Sequence, residues 1–165
     1  MNLKRIMRHL SIGRAAVRRV FPSRTMHEIE NAIRSTEARH SGQIRFAVEA
    51  SLELAPLLAG QTALQRSIEV FSKLRVWDTE HNNGVLIYLL LADRNVEIIA
   101  DRGIHVRLGT EVWEVICREM EGAFREGHFE AGVLAGIHAV GEHLARYFPE
   151  RADQSNEMPD NPVVL

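Results

Sequence analysis

Between positions 78 and 84 the chain reads Asp78-Thr79-Glu80-His81-Asn82-Asn83-Gly84, a run of oxygen- and nitrogen-bearing side chains closed by a glycine. Carboxylate, amide and carbonyl oxygens are the ligands of hard divalent cations such as Ca²⁺ and Mg²⁺. Asp78, Glu80, Asn82 and Asn83 supply that chemistry, and Asp101, in the later segment Asp101-Arg102-Gly103, adds another carboxylate. Arg102 can hold a phosphate oxygen through a charge-assisted hydrogen bond. If the set is catalytic, the reaction to expect is phosphomonoester hydrolysis. A metal would polarise the phosphoryl oxygens and activate water, Arg102 would balance the developing charge, and Asp78 or Asp101 would orient or deprotonate the nucleophile. The pattern is not an EF-hand, because the twelfth position counted from Asp78 is Leu89 and not a glutamate. The competing reading is a polar turn in which Asp78 and the asparagines bond their own backbone and Gly84 supplies an unusual dihedral angle.

Other chemistries find little support. No G-x-S-x-G elbow, P-loop or H-E-x-x-H motif occurs. Cys117 shares a helical stripe with Trp113, Ile116 and Met120, which makes it a buried, inert thiol. His138 and His143 are five residues apart and diverge on a helix, so with Glu142 they read as surface groups. Trp77, Trp113, Phe71 and Tyr88 fall on inferred apolar faces and read as core.

The elements that must bring the two polar segments together are a pair of strands. The run Val85–Leu91 is continuously apolar, as in a strand buried on both faces. Asp93-Arg94-Asn95 then makes a tight reversal into Val96–Ala100. An antiparallel hairpin of this kind sets Asp101-Arg102-Gly103 beside Asn83-Gly84. It also sends Asp93 to the opposite end, about 20 Å away, as a turn residue.

Around the hairpin, Thr25 and Glu28 have capping-box spacing ahead of a helix carrying Ile29, Ala32 and Ile33. Gln43–Glu49 alternates like a strand with one buried face. Pro56 and Gly60 mark a loop, and Thr62 caps a helix with Leu64, Ile68, Phe71 and Leu74 inward. Thr110 caps another, with Trp113, Ile116, Cys117, Met120 and Phe124 inward. A last helix, about 129–147, contains Gly132, Gly136 and Gly141, which permit close packing on the sheet. Residues 150–165 are polar, proline-containing and aperiodic, so a disordered tail is expected.

At 165 residues with 45% apolar residues, 25% charged residues and a net charge of −2, the chain suits one globular domain and gives no expectation of nucleic acid as a partner. One cysteine excludes an internal disulfide and favours the cytoplasm. No apolar run reaches the ~18 residues of a membrane span. The first 24 residues stand apart: seven of the twenty basic residues precede Glu28, the first acid. Leu3, Ile6, Met7, Leu10, Ala15, Val17 and Val20 recur at near-helical spacing. This segment either packs its apolar stripe on a domain spanning 25–149, or forms a cationic amphipathic helix that meets an anionic membrane surface or an acidic partner.

Three features together resemble the TPM domain family: the strand QIRFAVEASL followed by a helix ending FSKLRVWD, the hairpin NNGVLIYLLLADRNVEIIADRGI, and the segment FREGHFEAG before the last helix. The resemblance runs from about Ile44 to Phe148. It implies a three-layer α/β/α sandwich with a mixed sheet containing an antiparallel hairpin, together with acid phosphatase activity or divalent-metal binding. Many relatives carry D-N-G where this chain has Asn82-Asn83-Gly84, and a glutamate near His105. Each exchange removes a carboxylate, and Asp101, where many relatives have glycine, and Asp78 supply oxygen ligands in their place. Many relatives also carry a signal peptide and a membrane anchor, so a shorter soluble subgroup is expected. The resemblance thus implies either a metal-dependent phosphatase acting on a small phosphorylated substrate, or a non-catalytic module that binds a metal, a protein partner or a membrane surface.

Overall fold

The computed structural model describes residues 3–151 and 155–165. The parts of the expected helix at residues 1–2 and of the expected tail at residues 152–154 lie outside the described residues. Strands β1 (Gln43–Glu49), β2 (Gly84–Leu90), β3 (Asn95–Ala100) and β4 (Val163–Val164) form a mixed sheet in the order β3-β2-β1-β4. β2 runs parallel to β1 and antiparallel to β3, and β4 adds to β1 in parallel.

Helices cover both faces. Val85, Ile87 and Leu89 of β2 join a core with residues of α2 (Arg14–Val20), α3 (Ser23–Glu37), α6 (Arg102–Leu108), α7 (Glu111–Arg125) and α8 (Phe129–Tyr147). Leu86, Tyr88 and Leu90 point the other way, into a second core with residues of α1 (Leu3–Ser11), α4 (Leu54–Leu58) and α5 (Ala63–Lys73). The alternation of side chains along β2 thus fills two cores, and the fold is the three-layer α/β/α sandwich that the family resemblance implies. No helix among the described residues is long and apolar enough to cross a membrane.

The hairpin forms as expected, with Val85 opposite Ala100 and Leu90 opposite Asn95. Its reversal places Arg94 at φ 50° and closes through Asp93 N–H to the Leu90 carbonyl at 3.2 Å.

Several expectations are overturned. The N-terminal helix is two helices, α1 and α2, because Ile12-Gly13 breaks it. The Thr25 capping box does not form: Pro22 stands at the N-cap of α3, and the Thr25 hydroxyl donates to Glu130. Thr110 makes no side-chain cap, whereas Thr62 forms a full capping box with Gln65. On α5 Phe71 and Leu74 pack against the core as expected, but the fully buried residues are Ala63, Ser67 and Val70, and Leu64 and Ile68 are about half exposed. Trp77 is also half exposed, beneath the Arg75 guanidinium. The α8 glycines approach other helices: Gly132 and Gly136 meet Phe124 and Met120 of α7, and Gly141 meets Thr36 of α3. α4 and α6 occupy segments that read as loop.

The tail is the largest correction. β4 pairs Val163 and Val164 with Ala47 and Val48. Gln43 Oε1 accepts from the backbone N–H of Glu157 and Met158 at 2.8 and 2.9 Å, and Arg45 donates to the Pro159 carbonyl. β1 is buried on both faces: of the side that alternation marks as solvent-facing, Gln43 and Arg45 lie beneath these C-terminal residues, and Glu49 is held by Arg66 and Tyr88.

Candidate functional site

The two polar segments meet at one end of the hairpin. Asp101 N–H donates to the Gly84 carbonyl at 2.9 Å, and Gly103 N–H donates to the Asn82 carbonyl at 3.1 Å. Asn82 holds φ 51°, a left-handed conformation that asparagine tolerates better than most residues. Gly103 is required here, since a Cβ would sit 2.5 Å from the Asn82 carbonyl oxygen and 3.0 Å from that of His81. Two backbone carbonyls thus crowd over the start of α6.

Asp101 caps that helix through Oδ1, which accepts from Arg102 N–H at 2.7 Å. Its other oxygen, Oδ2, is buried and has no hydrogen-bond partner. Asn83 is fully buried. Its backbone N–H donates to Thr79 Oγ1 at 3.0 Å and its Nδ2 to the Ser41 carbonyl at 2.8 Å, leaving Oδ1 buried and unpartnered. An unmade hydrogen bond on a buried acceptor costs about 1–3 kcal/mol, so these two oxygens on adjoining strand ends are the kind of feature a ligand satisfies.

The remaining predicted residues divide. Arg102 is exposed and reaches Asn82 Oδ1 at 3.3 Å, and with the backbone pairing of Asp101 to Gly84 this contact forms a rim at the end of the hairpin, beneath which Asn83 is buried. Asp78 faces solvent in an ion pair with Arg75 at 2.6 Å. The Glu80 side chain is exposed, and its backbone N–H donates to Glu157. Among the described residues no three His, Cys, Asp or Glu side chains converge to hold a metal ion. The unpartnered oxygens at this end of the hairpin are Asp101 Oδ2 and Asn83 Oδ1.

Beside the rim lies a recess of about 370 Å³ lined by Ser41, His81, Arg107, Tyr147, Phe148, Pro149 and Arg151. Its titratable lining is basic, and Arg107 is fixed by a hydrogen bond to the Tyr147 carbonyl at 3.0 Å and by stacking over Phe148. Nearby, burial pushes His40 down to about 4, so its ring is neutral at pH 7 where Nδ1 meets the Gly42 carbonyl. Sequence reasoning missed Ser41 and the recess, because their proximity comes from β1 and α8 and not from the hairpin.

The mixed sheet with its antiparallel hairpin and helices on both faces is the fold of a TPM domain. The TPM domain family model matches residues 18–143, and the chain belongs to that family. It is similar to the BA42 protein of the psychrophilic bacterium Bizionia argentinensis, whose NMR structure aligns with 30% identity over 88% of this chain and 95% of that one, at a TM-score of 0.77. The N-terminal domain of a Porphyromonas gingivalis (P.gingivalis) protein, also solved by NMR, shares the fold at 19% identity, covering 79% of this chain and 83% of that one, with a TM-score of 0.58. No protein with a curated description matches the chain.

Proposed function

We propose that the Asp101–Asn83 rim binds a hard divalent cation, Ca²⁺ or Mg²⁺, and that the rim and adjoining recess accept the phosphate of a small phosphorylated ligand. The observation that carries this reading is the pair of buried, unpartnered oxygens, Asp101 Oδ2 and Asn83 Oδ1. Oxygen donors of this kind suit a hard cation. When bound, such a cation supplies positive charge that polarises a phosphoryl oxygen and acidifies water. The chain's own residues bind and orient. Arg102 is exposed at the rim for a phosphate oxygen, Arg107 brings positive charge to the recess, and Tyr147 and Phe148 offer apolar surface to the rest of the ligand.

The reaction to test is phosphomonoester hydrolysis. With p-nitrophenyl phosphate as substrate, turnover should vanish on chelation and fall by about 10²-fold or more in Asp101→Asn and Arg102→Ala variants that keep their fold. Turnover that survives both chelation and these substitutions would sink the reading. Binding without turnover is the second reading. It is favoured by the pairing of Asp78 with Arg75, which takes a candidate base away from the rim. Under it, ion binding persists with no hydrolysis.

A further inference from the structure

β3 is an edge strand, flanked by α7 and α5. α7 covers its backbone with side chains: the Val96 N–H donates to Glu121 Oε1 at 3.1 Å, and the Cys117 thiol sits against the Ile98 backbone. Cys117 is small and α5 leaves Leu64 half exposed, so the space between the three elements is not filled. A cavity of about 350 Å³ opens there, walled by Leu64, Ile98, Trp113 and Cys117 and edged by the carboxylates of Glu97, Glu114 and Glu121. Its size is that of a small-molecule site, and it shares no residue with the proposed rim or its recess.

The charge on this cavity is one-sided. Glu114 meets Arg118 at 3.9 Å and Glu121 meets Arg125 at 3.6 Å, but both arginines lie mostly in solvent, where such pairs are worth little. Glu97 is half-buried and forms no ion pair among the described residues; burial, and then the Glu121 carboxylate, raise its pKa. All three acids bear on Cys117, whose thiol burial and these carboxylates push up to about 12 against the Ile98 backbone bond. Trp113 gives an independent sign. It is 4% exposed and forms part of the wall, and its buried indole Nε1–H has no acceptor. A buried donor left unmade is satisfied by an acceptor that a ligand brings, and an indole face attracts organic cations. We propose that this cavity binds a small organic amine. The ammonium group meets Glu97 and Glu121, the apolar body lies against Leu64, Ile98 and Trp113, and a hydroxyl or carbonyl on that body accepts from the indole N–H.

Titration of the full chain, followed by proton–nitrogen NMR, tests the proposal with three probes that share one phenyl body. Phenylethanolamine, with both ammonium and hydroxyl, should shift the Trp113 indole N–H and the amides of Ile98 and Cys117 saturably, with Kd at or below about 1 mM. Phenethylamine, which lacks the hydroxyl, should bind roughly threefold more weakly. Phenylethylene glycol, with a hydroxyl in place of the ammonium, should bind at least about tenfold more weakly. Glu97→Gln removes the charge beside Glu121 and keeps the shape of the side chain, so the thermal midpoint should hold while phenylethanolamine binding falls at least about tenfold; the comparison of the three probes needs no variant. No saturable shift at Trp113, equal binding of the glycol, or undiminished binding by a folded Glu97→Gln protein overturns the proposal. So does Ca²⁺ that shifts the same resonances and displaces the amine, because the acids then serve a metal.

Discussion

Glu37 shows how one buried acid couples the tail to the sheet. It accepts the Ile44 N–H at 2.6 Å, and burial, with the nearby Asp160 carboxylate, pushes it up to about 8 against the partial relief of the Ile44 bond and of Arg45. Because the folded value lies above the unfolded one, its contribution to stability is fully present below about 4.5 and declines until pH passes about 8. His40 works in the opposite sense, with stability lost as pH falls from 6.5 through about 4. Between pH 6.5 and 8 the Glu37 effect therefore stands without the His40 one. Glu37→Gln keeps an acceptor for Ile44 and should remove a decline of up to ~1.4 kcal/mol per pH unit. Urea denaturation of both proteins across this range checks it, and parallel profiles would contradict the assignment. The sequence gives no hint of this acid, because its burial depends on a tail over a hundred positions away.

The elements teach a lesson about faces. On α5, Ala63, Ser67 and Val70 turn inward and Leu64 and Ile68 outward. Val70→Ala should cost about 2 kcal/mol and Leu64→Ala less than about 0.5 kcal/mol, as read by thermal unfolding. The hairpin was fully legible, since a continuous apolar run, a reversal and a second run leave few alternatives. So was the meeting of Asn82-Asn83-Gly84 with Asp101-Arg102-Gly103, which follows from strand pairing alone. The α5 stripe holds in part: Phe71 and Leu74 pack against the core as its period predicts, whereas nearer the N-terminus Ala63, Ser67 and Val70 turn inward and leave Leu64 and Ile68 outside. α6 was missed because its start depends on Asp101 acting as the cap, a role that the same residue's candidacy as a ligand concealed.

At the scale of the whole molecule, the C-terminal residues complete the fold. Met158 joins the α5-side core, Asp160 pairs with Arg34 at 3.3 Å, and Leu165 N–H donates to the Val48 carbonyl at 3.0 Å. Removing residues 155–165 would bare the β1 edge and strand the buried Arg45 without its carbonyl partner. The loss should be about 3 kcal/mol or more, with the truncated chain unfolding at lower denaturant than the whole one. A polar, aperiodic sequence concealed this role because its partners are polar groups on β1, and hydrophobic periodicity is silent about such pairing.

The central claim concerns the rim formed by Asp101 and Asn83, and thermal unfolding of chelator-treated protein titrated with Ca²⁺, Mg²⁺ and Mn²⁺ tests it most directly. A cation selective for the native state raises the midpoint by mass action. The rise should appear with Ca²⁺ or Mg²⁺, persist in Asp78→Ala, whose carboxylate is held by Arg75, and disappear in Asp101→Asn, which keeps the α6 cap and loses only the charge. A midpoint unmoved by any ion, or moved equally in Asp101→Asn, would contradict it.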